Sequence, residues 1–288
     1  MQQVNEFKPF QNNYSINCKG FLLDFSTPRI MGIVNLTPDS FFSGSRFQAE
    51  KEILSQVEKM LTEGADIIDL GAFSSRPNAD LISFEEEKKR LLSPLQKLVQ
   101  EFPSTVISVD TYRSKIAELS IFEGASIIND ISGGDLDESM FETIAKLKVP
   151  YVLMHMKGTP KTMQQNPEYK DVFKEIYKGF SEKLQKLTSL GANDVILDVG
   201  FGFGKTLKHN YTLLKKLNSF HSLQRTVLAG ISRKGMIQKV IHASAADSLN
   251  GTTAAHVLAL QNGANILRVH DVKAAKEAIQ IVSYYQKH

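Results

Sequence analysis

Short apolar runs alternate along this chain with longer stretches whose apolar residues recur at helical spacing. Eight of the runs have the length of buried strands, and most of them end at a polar residue. Buried strands separated by amphipathic helices are typical of a parallel sheet with helices on its outside. The eight predicted strands are Ile30 to Asn35, Asp66 to Gly71, Val106 to Thr111, Ser126 to Ser132, Tyr151 to Met156, Val195 to Gly200, Thr226 to Ser232 and Ile266 to His270.

Several stretches between the strands are clear amphipathic helices, and four glycine–alanine pairs stand where helices should end. A glycine there lets the chain adopt the left-handed conformation that closes many helices. The clearest predicted helices are Glu50 to Glu63, Phe84 to Glu101, Arg113 to Glu123, Asp171 to Leu190 and Leu249 to Asn262. The pairs are Gly64-Ala65, Gly124-Ala125, Gly191-Ala192 and Gly263-Ala264.

Eight strand–helix units can close into a barrel or lie open as a doubly wound sheet. Open sheets often carry a glycine motif for phosphate, and the segment G-F-G-F-G-K-T, starting at Gly200, resembles one. Val199 stands where a P-loop needs its first glycine, and Lys205 takes the last glycine position of the dinucleotide pattern. We therefore predict an α/β fold of the (β/α)8 TIM barrel class.

The N-terminal part follows a different pattern. Ser15 to Phe25 alternates loosely around Lys19-Gly20, which predicts a small β-hairpin that plugs the bottom of the barrel. A single barrel of roughly 250 residues is common, so the 288 residues need only one domain. We expect one barrel domain over residues 1–288, in which residues 1–28 form the N-terminal lead and the hairpin.

The charge, the cysteine content and the apolar runs of the chain indicate which partners and which compartment to expect. The 34 basic and 31 acidic side chains give a net charge of +3 spread along the chain, which argues against a nucleic-acid binder. The single cysteine, Cys18, excludes an internal disulfide and suits a reducing compartment. The polar N-terminus lacks a signal-peptide pattern, and no apolar run approaches the ~18 residues of a membrane span. We expect a cytoplasmic protein that acts on small molecules.

Polar residues mark the predicted active site. In a barrel the site lies at the C-terminal ends of the strands, and nearly every strand ends in a polar group. Each one alone could cap a helix or join a charge network inside the barrel. An unpaired carboxylate after an apolar run is costly, however, so the set indicates partners or a polar ligand. The set is Asn35, Asp69, Asp110, Asn129, His155, Asp198, Ser232 with Lys234, and Arg268 with His270.

Two kinds of group are expected to converge at this end. The side chains of Asp110, Asn129 and Asp198 could read the donor edge of a planar heterocycle. Lys234, Arg268 and His270 would form an anion site that suits a phosphorylated substrate. Two long loops, Thr37 to Phe47 and Ala72 to Ser83, are expected to be binding loops or lids.

The sequence contains neither the nucleophile-elbow motif nor the H-E-x-x-H zinc-binding motif. The segment G-I-S-R-K, starting at Gly230, misses the last glycine of a nucleophile elbow. No H-E-x-x-H sequence occurs, and Cys18 lies far from the predicted strand ends.

The sequence around these strand ends resembles the dihydropteroate synthase family, within the wider pterin-binding barrel superfamily. M-G-I-V-N-L-T-P-D-S-F resembles the first signature of that family and A-D-I-I-D-L-G-A-F-S-S-R-P the second. S-V-D-T, I-I-N-D-I-S-G-G, V-L-M-H-M-K-G-T-P, L-D-V-G-F-G-F-G-K-T, G-I-S-R-K and R-V-H-D-V follow in family order. The resemblance covers nearly the whole chain from about Arg29 onward.

The resemblance implies the condensation of dihydropterin pyrophosphate with p-aminobenzoate, which gives dihydropteroate and pyrophosphate for folate synthesis. It implies a magnesium cofactor held by Asn35, and a homodimer. It assigns the pterin to Asp110, Asn129, Met154, Asp198, Phe203, Lys234 and Arg268, and the pyrophosphate to Asn35, Arg76, Arg268 and His270. It assigns p-aminobenzoate to Phe41, Ser75, Arg76, Pro77 and Gly235, and catalysis to Asn35, Asp110, Lys234, Arg268 and His270.

Four positions depart from the family pattern. Phe73 stands where relatives often have glutamate, Ser75 replaces threonine, Val199 replaces proline, and Gly235 replaces a serine. These departures put arylamine binding in more doubt than pterin binding. Two alternatives also stay open, namely a methyltransferase that uses a methylated pterin and a non-catalytic pterin-binding paralogue.

Overall fold

The computed structural model describes residues 14–36, 46–73, 82–159, 162–163 and 167–288. The strands are β1 (Ser15–Cys18), β2 (Phe21–Asp24), β3 (Arg29–Asn35), β4 (Ile67–Gly71), β5 (Val106–Asp110), β6 (Ile127–Asp130), β7 (Tyr151–Met154), β8 (Val195–Asp198), β9 (Thr226–Ala229) and β10 (Ile266–Val269). Eight of them are parallel and form a closed barrel in the order β10-β3-β4-β5-β6-β7-β8-β9, which confirms the predicted TIM barrel.

Helices follow the barrel strands and cover the outside of the sheet. The described helices are α1 (Arg46–Thr62), α2 (Phe84–Glu101), α3 (Ser114–Phe122), α4 (Met140–Leu147), α5 (Val172–Ser189), α6 (Leu207–Lys215), α7 (Gly235–Ile241), α8 (Leu249–Gln261) and α9 (Val272–Lys287), with a 3-10 helix at Leu217–Leu223. The five helices predicted from periodicity are all present. No helix in the described ranges is long and apolar enough to cross a membrane.

The glycine–alanine pairs end their helices as predicted. All four glycines have positive φ, between 87° at Gly263 and 113° at Gly124. In each pair the alanine N–H donates to the carbonyl five residues back, for example from Ala125 to Ser120. Bonds of this kind satisfy the last carbonyls of a helix and turn the chain toward the next strand.

Several predicted strands extend too far, because turns begin earlier than the apolar pattern indicates. Asp130 ends β6, since its carboxylate accepts from the backbone N–H groups of Ser132 and Gly134. Asp198 ends β8 in the same way by accepting from Gly200, whose φ is +67°. Such side-chain turns compete with strand pairing. The predicted strand ends at Ser132 and Gly200 are therefore wrong by two residues.

The N-terminal hairpin closes the bottom of the barrel, as predicted. Strands β1 and β2 pair around Lys19 and Gly20, both with positive φ. Four hairpin and linker side chains pack on the first inward layer of the barrel, to which every barrel strand contributes one residue. The cluster joins Ile16, Cys18, Leu23 and Phe25 to Met31, Ile67, Val106, Ile127, Val152, Ile196, Leu228 and Ile266.

This packing predicts a large stability loss for Phe25→Ala. Phe25 is fully buried against the layer, and truncating a buried phenylalanine costs about 3–5 kcal/mol. Denaturant unfolding measures the free-energy change. Phe21→Ala, at an exposed position of the same hairpin, is the control and should change stability by less than about 0.5 kcal/mol. Equal losses for the two variants would contradict the plug.

Candidate active site

A row of four residues runs across neighbouring strands at the C-terminal mouth of the barrel. The strand register places Asn35 opposite Gly71, Gly71 opposite Asp110, and Asp110 opposite Asn129. A Cβ atom at Gly71 would lie 3.6 Å from Asp110 Cβ and 3.9 Å from Asn35 Oδ1. Glycine therefore leaves open a space that Asn35 and Asp110 both border.

Asp69 and Ser108 lie one step deeper, opposite each other in the register. Arg268, on β10, reaches across the barrel and joins the two levels. Its Nε donates to Asp69 Oδ2 at 2.7 Å, and its NH2 donates to Asp110 Oδ2 at 3.1 Å. Asn129 Nδ2 donates to the same Asp69 oxygen at 3.0 Å. The structure therefore brings Asp110, Asn129 and Arg268 together around Asp69.

Three polar atoms of this cluster have no hydrogen-bond partner in the described part of the chain. They are Asp69 Oδ1, Ser108 Oγ and Asp110 Oδ1. Buried polar atoms in native proteins nearly always have a partner, which can be a water molecule or a ligand. Because Asp110 lies on the rim, its open oxygen is placed to accept from a bound N–H donor.

Burial dominates the electrostatics of the mouth. It raises the pKa of Asp110 to about 8, although the Arg268 guanidinium opposes the shift. It also raises the pKa of Asp198, opposed by Lys234. Burial lowers the pKa of Lys234 to about 8, against the attraction of Asp198. Perturbed groups of both signs in one cleft are typical of an active site.

Asp198 and Lys234 form the opposite side of the mouth. Asp198 Oδ1 accepts from Gly200 N at 2.8 Å, which leaves Oδ2 facing the interior. The position of a Cβ on Gly230 would be 3.6 Å from Asp198 Oδ2 and 3.8 Å from Lys234 Nζ. The missing side chain at Gly230 therefore leaves room at this carboxylate and ammonium.

Lys234 is held from two sides. Its Nζ donates to the Phe201 carbonyl at 2.6 Å and lies 4.6 Å from the centre of the Phe203 ring. A cation over an aromatic face gains about 0.5–2 kcal/mol. The lysine is thus fixed at the mouth before any ligand arrives.

An apolar cluster forms one wall of the mouth. It contains Phe73, Tyr112, Ile131, Met154, Met156, Met163 and Phe203, with Ile82 packed against it. Met154 and Phe203, both predicted to line the pterin pocket, lie in this cluster. A flat heterocycle needs an apolar wall for its faces and polar groups for its edge, and the mouth provides both.

His270 lies at the rim of the mouth and its ring is neutral. Its Nδ1 is 3.0 Å from Ser232 Oγ, and its backbone N–H donates to the same hydroxyl at 3.2 Å. Burial and the Arg268 charge lower the pKa of His270 to about 4. Ser232 was in the predicted set of polar residues at strand ends without a role of its own, and the structure shows that it orients His270.

Lys205 is a buried residue that the sequence reasoning left without a role. Its Nζ contacts the Phe203 carbonyl at 2.8 Å, His155 Nδ1 at 3.0 Å and the His155 carbonyl at 3.2 Å. Desolvation lowers the pKa of His155 to about 2, so the ring is neutral and can accept. Lys205 therefore supports the turn after β8 and is not a phosphate ligand, in keeping with the rejected P-loop.

Gly200 in this turn is required by space. Its φ is +67°, and a Cβ there would lie 2.0 Å from the His155 carbonyl oxygen. The backbones of the two turns after β7 and β8 therefore approach each other closely at this position. Val199, which stands where relatives have proline, lies beside Gly200. Its side chain is fully buried and packs in the main core.

The expected magnesium ligand, Asn35, lies on this face. Among the described residues no group of three or more His, Cys, Asp or Glu is placed to hold a metal. Asn35 offers a single amide oxygen beside the open space at Gly71. Mg²⁺ commonly takes one or two protein oxygens, with waters and substrate phosphates completing its shell. Asn35 fits an ion that arrives with a diphosphate.

Some predicted residues lie outside the described ranges. These are Phe41, Ser75, Arg76 and Pro77, together with the loop from Thr37 to Phe42. Gly235 is described and is exposed at the first position of α7, where a Cβ would meet nothing within 4 Å. Phe73 is buried, and its ring packs edge-on against Tyr112 at 5.4 Å.

Comparison with known proteins decides the family. The sequence profile described as pterin binding enzyme matches residues 31–270. Dihydropteroate synthase of Escherichia coli is 41% identical over 92% of this chain and 94% of its own length. The chain belongs to the dihydropteroate synthase family.

Solved dihydropteroate synthases share the whole fold. The Yersinia pestis dihydropteroate synthase, determined with a sulfonamide drug complex, has a TM-score of 0.90 and 38% identity, covering 96% of this chain and 100% of its own. The Xanthomonas albilineans dihydropteroate synthase, determined with 4-aminobenzoic acid, has a TM-score of 0.89 and 34% identity, covering 96% and 99%. The predicted resemblance to dihydropteroate synthase is confirmed.

Proposed function

We propose that this chain catalyses the dihydropteroate synthase reaction, in which p-aminobenzoate displaces pyrophosphate from dihydropterin pyrophosphate. The observation that carries the proposal is the Arg268 fork across Asp69 and Asp110. This fork leaves Asp110 Oδ1 open in a row with Asn35 and Asn129. The transferase would supply dihydropteroate for folate synthesis.

The polar residues would recognise the edge of the pterin. Asp110 and Asp198 each direct one carboxylate oxygen at the mouth, and the amide of Asn129 lies beside them. Oxygens of this kind accept from ring N–H and amino groups. Met154 and Phe203 would contact the ring faces. Each buried polar contact should contribute about 1–3 kcal/mol, because its loss leaves a buried group without a partner.

The cationic groups would hold the leaving pyrophosphate. Lys234, which the family pattern also assigns to the pterin, and Arg268 lie at the mouth with fixed partners, and neutral His270 can donate a hydrogen bond. Fixed donors stabilise negative charge as it develops, because they need no reorganisation. We assign Arg76 the same role from the family pattern. When bound through Asn35, Mg²⁺ would further neutralise the diphosphate.

No enzyme nucleophile is needed for this reaction. The bond between the pterin methylene and the diphosphate oxygen breaks, and a bond to the arylamine nitrogen forms. The amine proton leaves to solvent or to pyrophosphate. The residues proposed to hold p-aminobenzoate are Phe41, Ser75, Arg76 and Pro77 from the family pattern, with Gly235 at the mouth. The open space beside Gly235 can admit the carboxylate of the amine.

Pyrophosphate release tests the proposal. Protein, Mg²⁺, dihydropterin pyrophosphate and p-aminobenzoate are mixed, and each component is omitted in turn. Release above the enzyme-free rate that requires all four components supports the synthase. Pterin binding without release would favour the non-catalytic paralogue. Methyl transfer from a methylated pterin, with no release of pyrophosphate, would favour the methyltransferase.

Lys234, with a pKa of about 8, predicts a pH limit. As pH rises through about 8, Lys234 loses its positive charge. This loss weakens binding of an anionic diphosphate, so kcat/KM should fall by up to about tenfold per pH unit. His270, with a pKa of about 4, stays neutral throughout.

A profile from about pH 6 to about pH 9.5 measures this limb. Lys234→Met should lower activity at all pH values and make the alkaline limb shallower. A profile that stays flat to the alkaline end in the wild type would contradict the assignment.

We also propose that the chain forms a homodimer in the cytoplasm. Helices α7, α8 and α9 pack on one another in turn. They expose large apolar side chains, namely Val240, Ile241, Leu249, Leu258, Ile281, Tyr284 and Tyr285. Large exposed apolar patches often mark protein interfaces. The reduced, buried Cys18 supports a reducing compartment.

A further inference from the structure

Arg233 has an unusual backbone conformation between two residues of the mouth. Its φ is +55°, although it is not a glycine. A left-handed conformation costs a non-glycine residue about 1–2 kcal/mol unless other contacts impose it. Ser232, which orients His270, precedes it, and Lys234 follows it.

The contacts of Arg233 account for this conformation. Its guanidinium forms a fork with Asp271, with Nε to Oδ2 at 2.7 Å and NH2 to Oδ1 at 2.9 Å. NH1 donates to the carbonyls of Ala245 and Ala246 at 2.7 and 2.8 Å. The backbone also takes part, since Arg233 N donates to Thr252 Oγ1 at 3.1 Å. A planar arginine fork fixes orientation as well as distance.

Asp271 also departs from the role that is usual at its position. It stands at the N-cap of α9, where an aspartate side chain normally accepts from the first turn of the helix. In this structure it makes no such capping bond. Both of its oxygens accept from Arg233 instead. Two local preferences, one in backbone conformation and one in helix capping, are thus given up for a single ion pair.

The pair joins the two turns that carry the cationic end of the mouth. Arg233 lies in the turn after β9, between Ser232 and Lys234. Asp271 directly follows His270 in the turn after β10. Lys234 follows β9, whereas Arg268 lies on β10 and His270 directly follows it. No hydrogen bond among the described residues joins Lys234 to Arg268 or His270, so a change in the distance between these turns would move Lys234 relative to both.

We propose that Arg233 and Asp271 are positioning residues of the reaction: their ion pair sets the distance and angle between Lys234 and His270. The inference rests on the proposed function, because that function gives both residues a common substrate. Neither Arg233 nor Asp271 touches the substrate. Misplacement of a reacting group by about 1 Å can cost about 100-fold in rate, so breaking the pair should reduce catalysis more than stability.

The chain offers a matched control pair at the opposite end of the barrel. Arg29 and Asp66 form an ion pair at 3.1 Å, with side chains 27% and 19% exposed. The Arg233 and Asp271 side chains are 23% and 25% exposed. Arg29 also donates to a backbone carbonyl, that of Asp24. Arg29→Met therefore removes an ion pair and a contact with a backbone carbonyl from a place that no substrate reaches.

The test compares Arg233→Met with Arg29→Met in the full chain. We expect similar losses of unfolding free energy, but a fall in kcat/KM of about 10- to 100-fold for Arg233→Met only. Arg233→Lys, which keeps the charge but loses the fork, should recover part of the activity. Asp271→Asn should lower kcat/KM as well, and the double variant with Arg233→Met should be little worse than the worse single variant.

Calorimetry with a free pterin alcohol separates this inference from the proposed function. If the wild-type protein releases no pyrophosphate, the proposed function is wrong. The affinity for the pterin, which Lys234 would contact, then still tests whether the ion pair positions Lys234. If the wild-type protein is active and Arg233→Met lowers kcat/KM no more than Arg29→Met does, the pair is structural only. If the wild-type protein is inactive, the same conclusion follows when Arg233→Met lowers pterin affinity no more than Arg29→Met does. Additive effects in the double variant would also overturn the inference.

Discussion

Replacing Arg268 with methionine should remove activity by at least about 100- to 1,000-fold and destabilise the barrel by about 3–5 kcal/mol. The first figure is typical of losing a fixed donor to developing negative charge. The second is typical of breaking a buried ion pair, because it leaves uncompensated charge inside the protein. Asp69 is fully buried and Asp110 nearly so, and Arg268 contacts both carboxylates.

Two further variants keep this prediction testable if Arg268→Met folds poorly. Arg268→Lys keeps a positive charge but cannot reach both carboxylates with one planar group, so it should fold better and stay impaired. Adding Asp69→Asn to Arg268→Met removes one buried charge and should recover stability without recovering activity. Denaturant unfolding and pyrophosphate release measure the two effects. Recovery of activity in the double variant would contradict the role given to Arg268.

Asp198→Asn should weaken pterin binding by about 10- to 100-fold, or about 1–3 kcal/mol, while the fold survives. An asparagine oxygen can still accept from Gly200 N, as Asp198 Oδ1 does. The other oxygen becomes an N–H₂ donor. It would then face the Lys234 ammonium and the donor edge of the pterin with no acceptor between them.

The matched control is Asp130→Asn at the end of β6. Asp130 is also fully buried, but it accepts from Ser132, Gly134 and the Tyr151 hydroxyl, away from the row at the mouth. Its replacement should lower stability and change pterin affinity much less than Asp198→Asn does. Calorimetric titration with pterin measures both variants. Unchanged affinity in Asp198→Asn would defeat the assignment of this carboxylate.

The barrel was predictable because its pattern is local. Each strand and helix has its own apolar periodicity, and glycines such as Gly124 and Gly263 mark helix ends through a conformation that other residues resist. Strand ends were less certain, since the side chains of Asp130 and Asp198 start turns that apolar runs do not reveal. The hairpin plug followed from its alternation and from the need to close the barrel.

The site was predictable in its members but not in its pairings. Polar residues after apolar runs identified Asp110, Asn129 and Arg268, because burial makes such residues exceptional. The Arg268 and Asp69 contact joins residues 199 positions apart, and no sequence spacing specifies it. The roles of Lys205 and Arg233 were missed for the same reason. In Arg233 the left-handed backbone depends on distant partners and leaves no mark in the sequence.

The structure shows the surroundings of three of the four residues that depart from the family pattern. Phe73 packs against Tyr112 in the apolar wall, so this position contributes packing where relatives often carry a carboxylate. Val199 fills the core. Gly235 leaves space at the mouth. None of the three disturbs the contacts of Asp69, Asp110, Asn129, Asp198, Lys234 and Arg268.

The stoichiometry of the reaction tests the central claim most directly. Dihydropteroate, measured by mass spectrometry, and pyrophosphate are quantified together during turnover with p-aminobenzoate. If the mouth presents the pterin to the arylamine and excludes water, one dihydropteroate forms for every pyrophosphate released. Release of pyrophosphate without dihydropteroate would show that water is the acceptor, and would contradict the account of this barrel as a synthase.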